Sequence, residues 1–494
     1  MYLGIDIGTS GVKAMLLDEE GAIAGQSTAP LSVSRPHPQW SEQAPEDWWR
    51  AVDEAVGALD PGARAKVRGI GLSGQMHGAV VLGEDDRVLR PAILWNDGRA
   101  QPQCAELLQI EPRTHEITGN PVLAGFTAPK LLWLREHERD TFDAIRTVLL
   151  PKDWVRLRMT GEKVSDMSDA SGTLWLDVAE RRWSGEMLAA CGLDTAAMPA
   201  LCEGSDVAAT LCAPVAQRWG MKRVPVAGGG GDNAAGAVGL GVVRAGETFL
   251  SLGTSGVIFT VTDGFKPEPE AAVHAFAHAL PQRWHRMSVM LSAAACVDWA
   301  ARLTGAGDAA ALLADAEQAT DSGGVIFLPY LSGERTPHGD PAARGVFYGL
   351  TGATDRGMLA LAVLEGVAMG LRDGFDALSG AGADIGEIAM AGGGSRSQAW
   401  GRIIAAALDR PLVWREGGEA GPALGAARLA RLAVGDGSIN EVCAPTPVSA
   451  RIEPDATLAA DMREKQARFR ALFAAVSPLW RDAEANQDRQ RADR

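Results

Sequence analysis

Short apolar runs alternate with longer amphipathic runs along most of the chain. The runs of strand length are 2–7, 66–72, 80–82 and 388–390. The runs with helical periodicity are 45–59, 358–378 and 422–434, the last with a proline near its first turn. This alternation predicts an α/β architecture with mixed sheets.

A five-residue segment occurs twice, since Gly8-Thr9-Ser10-Gly11-Val12 returns letter for letter at 253–257. Each copy lies between two apolar runs, and such runs joined by a Gly/Thr/Ser loop predict a β-hairpin. A hairpin that opens each half of the chain indicates a duplicated domain, although chance reuse of turn residues is an alternative. We therefore predict domains at 1–245 and 246–482, followed by a frayed polar tail at 483–494.

Size and charge narrow the class of protein. A chain of 494 residues is too long for one ordinary core, and its 46% hydrophobic and 22% charged residues are typical of globular domains. The formal charge of −15 argues against nucleic acid as a partner. ATP stays compatible with that charge, because backbone N–H groups and Mg²⁺ can hold its phosphates.

The cysteines and the N-terminus indicate a cytoplasmic protein. The 6 cysteines are scattered without a CxxC pair, which favours reduced thiols and gives no sign of a zinc site. The chain enters a strand pattern directly after Met1, and no apolar run approaches the length of a membrane span. We expect no membrane partner.

Asp6 lies just before the first glycine loop and is a candidate ligand of Mg²⁺, directly or through water. The amides of this loop can point into a cleft, and the second loop can form the opposite wall around the β- and γ-phosphates. Lys13 is a further phosphate contact, although GTSGVKA is not a Walker loop because no GK[ST] follows. The alternative is a strand-end Asp6 that caps its own turn.

Asp232 follows a strand and a glycine run at the start of a helix of small residues. A carboxylate there can accept the proton of a substrate hydroxyl as it attacks phosphorus. Two alternatives remain open. Asp232 can be a simple N-cap, or Gly229, Gly231 and Ala234 can form the GxGxxA of a dinucleotide site, although Glu247 is poorly placed for that motif.

Polar residues follow two further strands. The segment Ser73-Gly-Gln-Met-His77-Gly can supply hydrogen bonds to a sugar, although a lone histidine is more often structural. Trp95 stands beside Asn96 and Asp97, which can equally form a buried network. The glycine loop at 391–397 offers amides to an adenine or its phosphates.

These segments together resemble the FGGY carbohydrate kinases. The motifs are GIDIGTSGVK at 4–13, SGQMHG at 73–78, WNDGR at 95–99, FTAPKLLWLREH at 126–137, KDWVRLRMTGE at 152–162, GGGDNAAGA at 229–237, LSLGTSG at 250–256, YLSGERTPH at 330–338, GVFYGLT at 345–351 and GGGSRS at 392–397. The resemblance covers the chain except its polar tail. No single motif is specific, but the combination is.

The resemblance implies two duplicated ribonuclease-H-like domains of the hexokinase/actin/heat-shock ATPase type, with a central cleft. It implies ATP-dependent phosphorylation of a ketose, D-xylulose first, with ribulose, gluconate or glycerol as alternatives, and at the family level a homodimer. A non-enzymatic ATP-driven clamp of the same fold is a remote alternative. The implied roles are Asp232 as general base, Asp6 near Mg²⁺, Met76, His77, Trp95 and Asn233 on the sugar side, and Thr9, Ser10, Lys13, Thr254, Ser255, Gly392, Gly393, Gly394 and Ser397 around ATP.

Overall fold

The computed structural model describes residues 1–380 and 385–492, and two seven-stranded mixed sheets form its scaffold. The first sheet has the order Val207–Thr210, Pro225–Ala227, Gly69–Gly74, Tyr2–Ile7, Gly11–Leu17 and Ile23–Pro30, with Gly230–Gly231 also paired to Gly69–Gly74. The second has the order His274–Ala277, Trp284–Met290, Gly256–Thr262, Thr248–Leu252, Ile388–Ala391, Leu412–Arg415 and Val448–Ile452. Each sheet joins an N-terminal hairpin to parallel strands.

Smaller two-stranded sheets and helices surround this scaffold. The small sheets pair Glu42–Gln43 with Ala92–Ile93, Val80–Leu82 with Thr147–Leu149, Val164–Asp166 with Ala200–Cys202, Leu176–Asp177 with Arg182–Trp183, and Ile326–Leu328 with Val346–Tyr348. The helices are Pro45–Gly57, Pro61–Arg64, Gln101–Ile110, Thr114–Thr118, Thr127–His137, Arg139–Asp143, Pro151–Thr160, Met167–Ser171, Gly185–Ala190, Ala213–Trp219, Asp232–Leu240, Ala294–Thr304, Ala309–Gln318, Arg356–Ser379, Gln398–Leu408, Gly421–Ala433, Ile439–Val442 and Ala456–Ala492.

The predicted α/β architecture is confirmed, and both GTSGV segments form the loops of hairpins. The first hairpin closes with Ile7 opposite Val12, whereas the second closes with Leu252 opposite Gly256. The strand predicted at 66–72 starts later, at Gly69.

The end of the chain differs from the prediction. The last helix runs to Ala492, through most of the segment predicted to be frayed. Residues 493 and 494 lie outside the described residues.

A helix from the C-terminal part of the chain packs on the first sheet. Helix Gly421–Ala433 approaches so closely that a Cβ atom on Gly4 would lie 2.0 Å from the Ala423 carbonyl oxygen, and one on Gly71 would lie 1.9 Å from that of Ala426. Only glycine fits these two strand positions. The two halves of the chain are therefore interleaved here, and a domain boundary near residue 245 stays a prediction.

Three separate interiors fill the molecule. The largest apolar clusters lie around the first sheet, around the second sheet with helix Arg356–Ser379, and between the small sheets and helix Thr127–His137. Within the described part of the chain, no helix has the length and apolar character that a membrane crossing requires.

Candidate active site

A cavity of about 750 Å³ is lined by both halves of the chain. The lining residues are Lys13, Asp232, Asn233, Gly236 and Leu240 from the first half, and Phe249, Ser251, Met390, Ala391, Gly392, Gly393, Ser395, Arg396, Gln398, Trp414, Arg415, Gly418, Gly421, Pro422, Ser449 and Ala450 from the second. The volume lies within the range of small-molecule sites. A ligand of nucleotide size therefore fits between the start of the Asp232 helix and the second sheet.

The cavity brings together five of the residues predicted from the sequence: Lys13, Asp232, Asn233, Gly392 and Gly393. The remaining predicted residues stand outside its described lining, and they are Asp6, Thr9, Ser10, Met76, His77, Trp95, Thr254, Ser255, Gly394 and Ser397.

Asp232 is the first residue of helix Asp232–Leu240, and Gly231 is its N-cap. The carboxylate Oδ1 accepts hydrogen bonds from the backbone N–H of Asn233 at 2.7 Å and from its side-chain amide at 2.9 Å. Asp232 is therefore not the N-cap residue itself but the first residue inside the helix, and its side chain bonds the N–H of the second helical residue, Asn233. The hydrogen bonds recorded for the described residues engage Oδ1 and not the second oxygen.

Both Asp232 and Asp6 have raised pKa values, and the charge of Asp6 contributes to that of Asp232. Burial, with a smaller contribution from the negative charge of Asp6, raises the pKa of Asp232 to about 7 against the opposing hydrogen bonds from Asn233. Burial also raises the pKa of Asp6 to about 6, against the opposing effects of the Ser73 hydroxyl and the Lys13 ammonium. Two carboxyl groups with raised pKa values beside a cavity are typical of a catalytic centre.

Met76 lies beside the backbone that leads into Asp232, and His77 follows it in the chain. A Cβ atom on Gly231 would lie 2.8 Å from Met76 Sδ, so the methionine packs directly against the residue that precedes Asp232. His77 has a φ of +69°, which is uncommon for a residue with a side chain. Its ring lies 4.5 Å from that of Phe126, measured between centroids. A strained conformation of this kind is often retained for function.

The protonation state of His77 follows from its contacts. Its Nδ1 lies 2.7 Å from the carbonyl oxygen of Gly172, and a carbonyl can only accept, so Nδ1 carries the proton. Burial lowers the pKa of the ring to about 3, so the ring is neutral near pH 7. Nε2 is then a hydrogen-bond acceptor, which suits a sugar hydroxyl.

Thr9 and Trp95 are bonded to each other. The indole N–H of Trp95 donates to Thr9 Oγ1 at 3.0 Å, and that hydroxyl donates to Gln75 Oε1 at 2.9 Å. The structure thus uses the Trp95 N–H to hold the first glycine loop. Gln75 links this loop to the strand end that carries Met76.

The glycine loop at 392–394 lies over the end of strand Thr248–Leu252. A Cβ atom on Gly392, whose φ is +85°, would lie 2.7 Å from the carbonyl oxygen of Leu252, and one on Gly394 would lie 2.9 Å from the Leu252 side chain. Ser397 caps the following helix through a 3.2 Å bond from Trp400 N–H. The two predicted nucleotide loops of the second half are therefore neighbours.

A Mg²⁺ ion was predicted at Asp6, and the residues present fit it. Asp6 Oδ1 is buried and has no hydrogen-bond partner among residues 1–380 and 385–492. Among the described residues, no group of three His, Cys, Asp or Glu side chains could hold a metal by itself. Mg²⁺ bound to a nucleotide needs only one or two carboxylates, with phosphates and waters completing its shell.

Comparison with known proteins decides the family. Residues 1–239 match the N-terminal domain of the FGGY family of carbohydrate kinases, and residues 248–434 match its C-terminal domain. The chain belongs to the FGGY family of carbohydrate kinases. This membership is not consistent with a dinucleotide site at Gly229, Gly231 and Ala234, nor with a non-enzymatic clamp.

Several FGGY kinases are similar along nearly the whole chain. The chain is 54% identical to a xylulose kinase of Escherichia coli over 97% of its own length and 100% of that protein. It is 53% identical to a xylulose kinase of Klebsiella pneumoniae, again with 97% of the chain and 100% of that protein covered. The crystal structure of a xyloylose kinase from Brucella ovis has a TM-score of 0.94 and 49% identity, covering 97% of this chain and 99% of the other.

Several residues that line the cavity of this FGGY kinase were not predicted from its sequence. Phe249 and Ser251 lie on the strand that leads to the second loop, and Trp414 donates to the carbonyl of Ser395 at 2.7 Å. Of these residues, only Ser251 could have been found from the sequence. It precedes the second GTSGV segment by two residues, as Asp6 precedes the first.

Proposed function

We propose that this carbohydrate kinase transfers the γ-phosphoryl group of ATP to the terminal O5 hydroxyl of D-xylulose, giving D-xylulose 5-phosphate and ADP. The near full-length similarity to xylulose kinases supports the choice of sugar. The position of Asp232 supports the chemistry, since it lies where the cavity meets the Met76–His77 segment. This position is the observation that carries the proposal.

In the proposed reaction, Asp232 removes the proton of the attacking hydroxyl. A base with a pKa of about 7 is about half ionised at pH 7 and accepts a proton readily. The two hydrogen bonds from Asn233 hold Oδ1, so the other oxygen faces the substrate. His77 Nε2 accepts a hydrogen bond from a second sugar hydroxyl and thereby orients the ketose.

ATP occupies the 750 Å³ cavity in this proposal, with its adenosine against the loop at 392–394 and its phosphates towards Lys13. The backbone amides of the two GTSGV loops face the β- and γ-phosphates, with Thr9, Ser10, Thr254 and Ser255 at the loop tips. When bound, Mg²⁺ supplies charge neutralisation of the phosphate oxygens, and Asp6 is the side chain that would hold it. Exclusion of water by the surrounding side chains limits futile ATP hydrolysis.

A substrate panel with coupled ADP detection tests the proposed sugar. We expect ADP release to depend on added sugar and to be at least about 10-fold more efficient, in kcat/KM, with D-xylulose than with D-ribulose, gluconate or glycerol, because a site built to bond one hydroxyl rejects analogues that lack it. Higher efficiency on D-ribulose would assign the chain to another sugar within the family. A homodimer and a cytoplasmic location stay predictions.

A further inference from the structure

The short helix Met167–Ser171, called here the support helix, contacts the backbone at the proposed base. Ser168 Oγ accepts a hydrogen bond of 3.0 Å from the N–H of Gly231, the residue directly before Asp232. Ser168 is fully buried, and the position of Gly231 is sterically confined on its other side by Met76. The first turn of the Asp232 helix is therefore held from outside the helix.

The support helix also contacts the proposed sugar side. Gly172, the residue after the helix, accepts the Nδ1 proton of His77 through its carbonyl oxygen at 2.7 Å. Ser171 Oγ accepts a 3.0 Å bond from the N–H of Ala277 in the second half of the chain. One turn of helix thus contacts the backbone directly before the base, the predicted ketose contact and the other half of the molecule.

Asp166 fixes the orientation of Ser168. Its Oδ1 caps the support helix by accepting from the N–H groups of Ser168 at 2.9 Å and Asp169 at 3.2 Å. The same oxygen accepts the Ser168 hydroxyl proton at 2.5 Å. Because the hydroxyl donates to Asp166, an oxygen lone pair is left for Gly231 N–H.

A buried ion cluster holds Asp166 in turn. Lys152 Nζ lies 2.5 Å from Asp153 Oδ1, 2.8 Å from Asp166 Oδ2 and 3.0 Å from Asp169 Oδ2, and all four side chains are fully buried. Burial by itself would lower the pKa of Lys152, but the three carboxyl groups together raise it, so the ammonium stays charged. Burial raises the pKa of Asp169 well above its usual range, against the opposing effect of the Lys152 ammonium.

Ion clusters of this kind are a poor source of net stability, because removing charges from water offsets most of their attraction. They do fix geometry, since every member has partners in set directions. The reaction proposed above makes no use of this cluster. Because Asp166 caps the support helix and Asp169 lies in it, the cluster can hold that helix in place.

We propose that Ser168, oriented by Asp166, is a positioning residue that sets the place of the Asp232 carboxylate through the backbone of Gly231. This inference rests on the proposed role of Asp232 as the base. A displacement of about 1 Å at a reacting group can lower a rate about 10²-fold, so a lost backbone anchor is sufficient for a large effect.

Ser165 provides a matched control. Its hydroxyl donates to Asp153 Oδ2 at 2.7 Å, so it belongs to the same buried cluster and is equally inaccessible. Within the part of the chain that the structure describes, hydrogen bonds connect Ser168, and not Ser165, to Gly231. Ser165→Ala and Ser168→Ala thus remove comparable buried hydroxyls, with only the second releasing the base.

The experiment measures kcat, both KM values, the pH profile of kcat/KM and the unfolding midpoint for both variants. We expect similar unfolding midpoints, a fall in kcat of about 10- to 100-fold for Ser168→Ala, and a fall of less than about threefold for Ser165→Ala. The KM for ATP should stay within about twofold in both, because the cavity is not touched. The acid limb of the pH profile should move in Ser168→Ala alone.

Asp232→Asn is measured in parallel to separate the two proposals. If Asp232→Asn retains the wild-type rate, the proposed base is wrong and the positioning role falls with it. If Asp232→Asn is inactive while Ser168→Ala and Ser165→Ala match in kcat and pH profile, the positioning inference is overturned and the proposed function stands. If Ser168→Ala does not fold, Asp166→Asn replaces it, with a kcat loss of about 3- to 10-fold expected and an unchanged kcat contradicting the inference.

Discussion

The two copies of GTSGV have the same five residues but differ in register by one position. In the first, Ile7 faces Val12 across the hairpin, and the corresponding pair in the second would be Leu252 and Val257. The second instead pairs Leu252 with Gly256. A slip of one residue exchanges the faces of a strand, and Val12 is buried whereas Val257 is half-buried.

The neighbours of the two loops differ even more than their registers. The first copy is flanked by Asp6 and Lys13, and the second has Ser251 and Ile258 at those positions. The same loop sequence is therefore flanked by charged residues in the first half of the chain and by neutral residues in the second. The comparison teaches that the loop sequence determines a hairpin, whereas the flanking residues determine its chemistry.

The largest expected difference is between Asp6→Asn and Ser251→Ala. We expect Asp6→Asn to lower kcat by about 10²- to 10³-fold, because a carboxylate that supports the phosphate charge in the transition state is lost. Ser251→Ala should lower kcat less than about fivefold, since it removes only one neutral lining group of the cavity. If steady-state assays show equal losses of kcat in the two variants, the proposal that the two hairpins have different chemical roles is wrong.

Asp6→Asn also gives a pH prediction. The negative charge of Asp6 contributes to the raised pKa of Asp232, so its removal should lower that pKa. A base works when it is unprotonated, and the acid limb of kcat/KM should therefore move to lower pH. A limb that stays in place or moves to higher pH would show that the two carboxyl groups do not interact.

Lys13→Met tests the charged partner of the first hairpin. Lys13 lines the nucleotide cavity, and a charge-assisted phosphate contact is worth about 1.5–3 kcal/mol, so the KM for ATP should rise at least about 10-fold. The KM for xylulose should change less than about twofold. Lys222→Met, at an exposed lysine, is the control and should leave both values unchanged.

Thr9→Val and Thr254→Val give the smallest contrast, in stability. The Thr9 hydroxyl bonds both Trp95 and Gln75, and its removal leaves those groups unpaired at a cost of about 1–3 kcal/mol in the free energy of unfolding. Thr254 is exposed, so its variant should stay within about 0.5 kcal/mol of the wild type. Denaturant unfolding of both variants checks the difference, and equal midpoints would remove the structural role of Thr9.

The sequence predicts the elements well where their pattern is strong. The hairpins, the long helix at 356–379 and the strand that leads to the 392–394 loop follow from periodicity and turn residues. The residue pattern predicted Asp232 at a helix start, and the family resemblance added its role. Both kinds of signal are local in the chain.

The parts that the sequence does not predict depend on distant contacts. The fit of helix Gly421–Ala433 against Gly4 and Gly71 joins segments more than 350 residues apart, and no local pattern indicates it. The register of the second hairpin and the commitment of the Trp95 N–H to Thr9 are likewise tertiary. The buried Lys152 cluster cannot be predicted from the sequence, because nothing in the local pattern distinguishes its aspartates from ordinary surface charges.

The most direct test of the account is the pH dependence of kcat/KM for the wild type and Asp232→Asn, with saturating ATP. Asparagine keeps an oxygen for the Asn233 bonds but cannot accept the proton of the sugar hydroxyl. We predict an acid limb near pH 7 in the wild type, from the pKa of about 7, and a rate about 10²- to 10⁴-fold lower without that limb in the variant. A variant that keeps both the wild-type rate and the limb would contradict Asp232 as the base.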